Sequence, residues 1–287
     1  MPSHDLDARV RDALAFLRDR TGIVPRVGFT LGSGLGDVVH SLADGITVAT
    51  AEIPHWPRST VHGHAGRFAI GTWAGVPVAA LSGRSHRYEG YSLDRVTFGL
   101  RVMAALGCGA LLFTNAVGAI HAEYRPGDLM LATDHINFIG RRGLFTPAEL
   151  VERRAGRRVA AYYTPRLRAA LLAAAARAGV RLHQGTLMGA TGPTYETAAE
   201  VRMMGALGAD VGCMSTVHEV TVAAQLGCET ASISCITNRA TGLADGPLLH
   251  DDVAEVAGRV SARLRAVLEE FLQGEAVAKR GGTAPTS

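Results

Sequence analysis

The sequence predicts an α/β fold, a single domain with a mixed central β-sheet covered by helices, and three observations predict it. Short apolar runs alternate with longer amphipathic ones, the pattern of a sheet layered with helices rather than of a β-sandwich. The 287 residues, 47% hydrophobic and 19% charged, suffice for one full-sized core at the upper end of single-domain length. Neither an internal repeat nor a low-complexity linker divides the chain.

Taken in order, a mixed amphipathic stretch predicts a helix over 4–20, and the apolar run that follows predicts a strand over 26–31. A second apolar run predicts a strand over 76–82, and the periodic segment after it a helix over 92–106. Two further strands follow over 110–115 and 128–133, then an alanine-rich helix over 165–178 that opens on Pro165. A strand over 184–190 leads to a helix over 197–207, and a strand over 210–214 to a helix over 216–226. Thr197 with Glu200, and Thr216 with Glu219, have the spacing of a capping box, which sets the starts of these two helices. A strand over 230–237 and a helix over 251–272 complete the pattern. Beyond Gln273 the composition turns to Gly, Ala, Thr, Pro and Ser, so the domain is expected to span 1–273 and to leave 274–287 as a disordered tail.

Composition removes several classes of function. The longest apolar runs, such as 110–113 and 169–176, fall far short of the roughly 20 residues a membrane span needs. The N-terminal stretch lacks a basic-then-apolar leader, so a cytoplasmic location is expected. A net charge of +3, with scattered basic residues, argues against nucleic acid as a partner. Cys108, Cys213, Cys228 and Cys235 stand in apolar surroundings without metal-ligand spacing, so they read as buried thiols and no metal is expected. The single lysine, Lys279, lies in the tail, which leaves neither a P-loop lysine nor a Schiff-base lysine for the fold.

In an open α/β sheet ligands bind beyond the carboxyl ends of the strands, and here nearly every apolar run ends in polar or glycine-rich chemistry. Gly32-Ser33-Gly34-Leu35-Gly36 follows the first run. It reads either as a tight turn or as an anion loop of exposed amides and a serine hydroxyl. It is not a complete dinucleotide fingerprint, because Asp37 stands where the third glycine belongs. Arg84 and His86, two residues apart after the second run, point to one side of an extended segment and can converge on one anion. Ser215 and Thr216 open a helix, where free amides and the dipole favour phosphate, although an ordinary N-cap has the same look. Three anion-suited elements at strand ends point to a shared phosphate site.

The motifs that carry this chemistry resemble those of the trimeric purine nucleoside phosphorylases specific for 6-oxopurines. They are LGSGLG from Leu31, HGHAGRF from His62, GRSHRYEGY from Gly83, TNAVGAI from Thr114 and PGDLMLATDHIN from Pro126. TGPTYETAAE from Thr191, GADVGCMSTVHEV from Gly208, and ITN at Ile236 with PLLHDDV from Pro247 complete the set, in the family's order. The resemblance implies the nucleoside phosphorylase fold and phosphate held by Ser33, His64, Arg84, His86, the Ala116 amide and Ser215. It implies a nucleoside held by Tyr88, Ala116, Tyr195, Glu196, Met214, Asn238 and His250, with His250 near the 5' position. Catalysis would rest on Asn238, Glu196 and His86. It further implies a homotrimer that takes inorganic phosphate as co-substrate and requires no metal or organic cofactor.

Cleaving the glycosidic bond builds positive charge on the sugar and negative charge on the departing purine, so such a site must stabilise both. Asn238 would hydrogen-bond N7 of the base, Glu196 would engage N1 or the 6-substituent, and phosphate would attack C1' from the opposite face. The chain departs from the family pattern at several points. Arg141-Arg142-Gly143-Leu144-Phe145 and an Arg-rich stretch replace the usual loop after the DHIN motif, with Phe145 a candidate for its aromatic or the segment a divergent surface loop. His218 replaces a proline, Tyr195 a phenylalanine, and Arg239 follows the key asparagine. Two rival functions stay open on this reading: a phosphorylase of a 5'-modified nucleoside such as 5'-methylthioadenosine, or a drifted nucleoside-binding protein of a specialised pathway.

Overall fold

Strand β1 (Val27–Leu31) is buried on both faces and lies inside the sheet, parallel to β4 (Val76–Ser82) on one side and to β5 (Ala110–Ala119) on the other. Strands so placed read as near-continuous apolar runs, which is why all three are legible in the sequence. The computed structural model describes residues 3–32, 36, 39, 42–58, 66–140, 161–243 and 250–280. Beyond β4 the sheet continues antiparallel through β3 (Arg67–Trp73) to the edge strand β2 (Ala43–Ala49). On the other side, β9 (Glu229–Arg239) runs parallel to β5 from the Ala110–Glu229 pair to the Ala119–Arg239 pair.

From β9 the sheet curls. Strand β6 (Leu129–Asn137) is antiparallel to β9 and parallel to β7 (Leu182–Gly189), which is parallel to β8 (Val211–Cys213). Strand β8 returns to β5 through the pairs Gly118–Gly212 and Ala119–Val211. Strands β5, β8, β7, β6 and β9 thus form a closed ring, with β1, β4, β3 and β2 extending from β5 as a twisted wing.

Helices cover both faces. Leu17 of α1 (Ser3–Arg18), Met103 of α3 (Phe98–Leu106) and Val220 of α6 (Val217–Gln225) fill one core layer. Leu171 of α4 (Pro165–Arg177) and Leu268 and Phe271 of α7 (His250–Arg280) fill the other. Phe29 of β1 meets Trp73 edge-on in that second layer, with ring centroids 5.3 Å apart.

Three differences from the sequence reading have local causes. The helix expected over 92–106 is two, α2 (Leu93–Val96) and α3, interrupted at Thr97, whose hydroxyl donates to the Leu93 carbonyl at 2.7 Å. Strands β2 and β3 were not expected at all: β2 is largely exposed, and its pairing with β3 slips between Ala43 and Ile46, where Asp44 takes a positive φ. Helix α7 continues through 274–280, past the end of order expected at Gln273. Arg166 ties that extra length to the body by donating to Glu275 at 2.7 Å and to Glu229 at 2.6 Å.

Candidate active site

The carboxyl ends of β1, β4, β5 and β9 meet the start of α6 around a cavity of about 330 Å³. Arg84, two residues beyond β4 and only 5% exposed, organises one wall. Its Nη2 donates to the carbonyls of Thr114 on β5 at 2.8 Å and Thr30 on β1 at 3.3 Å. Its Nη1 donates to Ser215 Oγ at 2.9 Å, and its Nε lies 3.3 Å from Glu219 Oε1 on α6. One guanidinium therefore holds two strand ends and a helix start in register, and it presents positive charge to the cavity. Close approach of β1 and β5 depends on Gly32: a Cβ there would lie 2.7 Å from the Thr114 carbonyl oxygen and 2.9 Å from Asn115 Cα.

The capping box expected at Thr216 and Glu219 is corrected here. Thr216 takes a positive φ and its side chain caps nothing. Its hydroxyl instead lies 3.2 Å from Ser215 Oγ and 3.5 Å from Arg84 Nη1. Glu219 is buried, and its carboxyl faces Arg84. A cap contributes about 1 kcal/mol, less than leaving a buried guanidinium without a counter-charge would cost. Burial pushes the Glu219 carboxyl above the usual carboxylate range, while Arg84 and the Thr216 amide draw it down. The box at Thr197 forms as expected, with Thr197 Oγ1 accepting from the Glu200 amide and Glu200 accepting from the Thr197 amide.

His86 stacks on Tyr88 with centroids 4.7 Å apart, and its Nδ1 lies 3.3 Å from Glu89 Oε1. Burial first, and then Glu89 and Tyr195, raise the Tyr88 hydroxyl pKa above its ordinary value. His218, on the first turn of α6, is wholly enclosed, and neither ring nitrogen has a hydrogen-bond partner among the described residues. Burial first, and then the electrostatic influence of Arg84, His86 and Arg87, hold its pKa down to about 3, so the ring is neutral.

Asn238, also in the cavity lining, is locked from both ends. Its Oδ1 accepts from Thr237 Oγ1 at 2.9 Å, and its Nδ2 donates to the Arg239 carbonyl at 2.9 Å. Arg239 itself points away and donates to the His121 and Ala122 carbonyls, so this departure from the family pattern braces a turn. The loop that carries Tyr195 and Glu196 enters through Gly192, at φ +68°, where a Cβ would lie 2.4 Å from Met214 Sδ. Burial raises the Glu196 carboxyl pKa, a backbone hydrogen bond opposes that shift, and Glu200 adds to it.

Among the expected site residues, Arg84, His86, Ala116 and Ser215 of the anion set line the cavity, as do Tyr88, Tyr195, Glu196, Met214 and Asn238 of the nucleoside set. Ser33, His64 and Phe145 lie outside the described residues. His250 begins α7, and its side chain is likewise outside them. Sequence reasoning gave no role to Ile120, Val201 and Met204, which form an apolar wall; the spacing of Val201 and Met204 on α5 (Ala198–Ala206) was the available signal. It also missed Asn115, a cavity residue whose buried amide has no hydrogen-bond partner among the described residues. No cluster of His, Cys, Asp and Glu able to hold a metal occurs among the described residues, and no described helix is long and apolar enough to cross a membrane.

Arg84, His86 and Ser215 share one apolar cleft at strand termini with Glu196 and Asn238, the kind of lining that a nucleoside-type transferase site needs. Comparison with known proteins agrees: the model of the phosphorylase superfamily matches residues 26–273. Purine nucleoside phosphorylase 1 of Bacillus subtilis (strain 168) is 43% identical over 254 residues, covering 88% of this chain and 94% of the relative. Purine nucleoside phosphorylase of Bos taurus is 38% identical, covering 91% and 92%. The crystal structure of the Schistosoma mansoni purine nucleoside phosphorylase in complex with inosine superimposes with a TM-score of 0.81 at 30% identity, over 93% of this chain and 96% of that one. The chain belongs to the phosphorylase superfamily, in its purine nucleoside phosphorylase branch, and is a pentosyltransferase.

Proposed function

We propose that the cavity performs phosphorolysis of 6-oxopurine ribonucleosides and deoxyribonucleosides, inosine and guanosine among them, to free base and α-pentose 1-phosphate. The observation that carries this reading is the placement of Arg84 and Ser215 in the same cavity as Glu196 and Asn238. Phosphate is held by Arg84, His86, Ser215 and the Ala116 amide, with Ser33 and His64 completing the set. A phosphate oxygen forms the new bond to C1' as the bond from C1' to the purine breaks, and the electron pair leaves with the base. The nucleophile is already an anion held beside its carbon, so positioning supplies much of the rate.

Asn238 keeps one Nδ2 hydrogen on the Arg239 carbonyl and donates the other to N7 as charge builds there. Glu196 engages N1 or the 6-substituent, which favours a 6-oxopurine over an aminopurine. Tyr88, Met214 and His250 hold the sugar, and Tyr195 and Ala116 flank the base. Inorganic phosphate is the co-substrate, and no metal or organic cofactor takes part. In line with the resemblance, the working form is a cytoplasmic homotrimer. A panel of inosine, guanosine, adenosine and 5'-methylthioadenosine, each with and without phosphate, tests the reading. Base release from the first two that requires phosphate is expected; binding without release, or preference for the methylthio substrate, overturns it.

A further inference from the structure

Arg84 separates two spaces. One side lines the large cavity, and the other lines a second cavity of about 20 Å³, shared with Ser85, Arg95 and Glu219. Glu219 belongs only to the small one, and its side chain is 2% exposed. Its Oε1 faces Arg84 Nε at 3.3 Å, while Oε2 has no hydrogen-bond partner among the described residues. The small cavity has room for about one water, enough to satisfy that oxygen.

A carboxylate beside a phosphate site is electrostatically costly, because like charges repel most strongly where water is excluded. Its presence there calls for a purpose other than attraction of substrate. Arg84 supplies one. A buried guanidinium left unpaired is strongly unfavourable, and its planar fork recognises an oxyanion only when its plane is fixed. Thr30 and Thr114 hold Nη2, and Ser215 holds Nη1. Of these described strand-end groups none bonds Nε, and the Nε edge is the one that Glu219 faces at 3.3 Å.

Resting on the phosphorolytic reading above, we infer that Glu219 is a positioning residue of the phosphate site, acting through Arg84 from behind the cavity wall and never touching substrate. It holds the plane of the guanidinium so that its face toward Ser215 stays aligned with the bound oxyanion.

Steady-state kinetics of Glu219→Gln, Glu219→Asp, Arg84→Ala and the Arg84→Ala/Glu219→Gln double variant test this inference, with inosine and phosphate varied separately. In Glu219→Gln the KM for phosphate is expected to rise about tenfold while that for inosine stays within twofold. Glu219→Asp, which keeps the charge, recovers part of the loss. The double variant is expected to match Arg84→Ala alone, because Glu219 has nothing left to act on. Additive losses in the double variant, or a fall in kcat with both KM values unchanged, overturn the inference. If Glu219→Gln fails to fold, Glu219→Asp alone and combined with Arg84→Ala gives the same cycle. Wild-type enzyme that releases base without saturating in phosphate overturns the phosphorolytic reading itself, and is distinguished from failure of the inference by that control.

Discussion

Arg84 Nη1 donates to Ser215 Oγ at 2.9 Å, joining a loop after β4 to the start of α6 across 131 positions of sequence. Because the serine oxygen accepts from the guanidinium, its own proton can go to Thr216 Oγ1, 3.2 Å away, or to an anion. Arg84→Lys keeps the charge but loses the planar fork that reaches Thr30, Thr114 and Ser215 together. The KM for phosphate is expected to rise at least about tenfold, equivalent to about 1.4 kcal/mol, with little change in the KM for nucleoside. Initial-rate measurements with each substrate varied in turn check this.

Asn238 is held by Thr237 Oγ1 on one side and the Arg239 carbonyl on the other, so its amide is preorganised before substrate arrives. Asn238→Ala is expected to lower kcat by about 10²–10³, the range for losing one preorganised donor to a developing charge, with modest loss of phosphate affinity. Thr237→Val, which leaves the amide in place but unsteadied, should fall between that variant and the wild type. Unchanged kcat in Asn238→Ala would remove the amide from the mechanism.

Gly32→Ala places a Cβ against backbone of Thr114 and Asn115 that has no side-chain freedom to yield. Overpacking of this kind typically costs about 1–3 kcal/mol. Because Arg84 spans the same strand ends, both stability and phosphate affinity should fall. Thermal unfolding read beside the KM for phosphate separates the two effects.

His218 links stability to pH. Its folded-state pKa, about 3, lies below its ordinary value of 6.5, so the unfolded chain binds the extra proton first. The contribution of the neutral ring is complete above about pH 6.5 and is lost as pH falls toward about 3. Melting temperatures taken from pH 7 down to pH 5 should therefore drop more steeply for wild type than for His218→Leu. Parallel profiles would show that the ring titrates normally.

Legibility followed burial and locality, with β3 as the exception, a strand buried over most of its length that the sequence reading missed. Strands β1, β4, β5 and β9 are buried throughout most of their length and read directly as apolar runs. Strand β2, exposed and kinked at Asp44, carries no such mark. Ring closure rests on the two pairs Gly118–Gly212 and Ala119–Val211, too few to imprint a pattern. The contrast between the two capping boxes shows the same limit: Thr197 and Glu200 complete theirs locally, whereas Glu219 keeps the Thr216 amide but also faces Arg84 from a distant loop, and the Thr216 hydroxyl turns to Ser215 and Arg84. The polar cavity residues announced themselves at strand ends, while the apolar Ile120, Val201 and Met204 and the buried Glu219 did not, and Asn115 stood in a strand-end motif without its role being legible.

In the proposed mechanism groups from separate strand ends close around one oxyanion, and a crystal structure of the enzyme with bound phosphate or sulfate tests this most directly. Density for the oxyanion is expected within hydrogen-bond distance of Arg84 and Ser215, with His86 alongside. An oxyanion absent from that pocket under saturating conditions, or those three side chains found far apart, would contradict it.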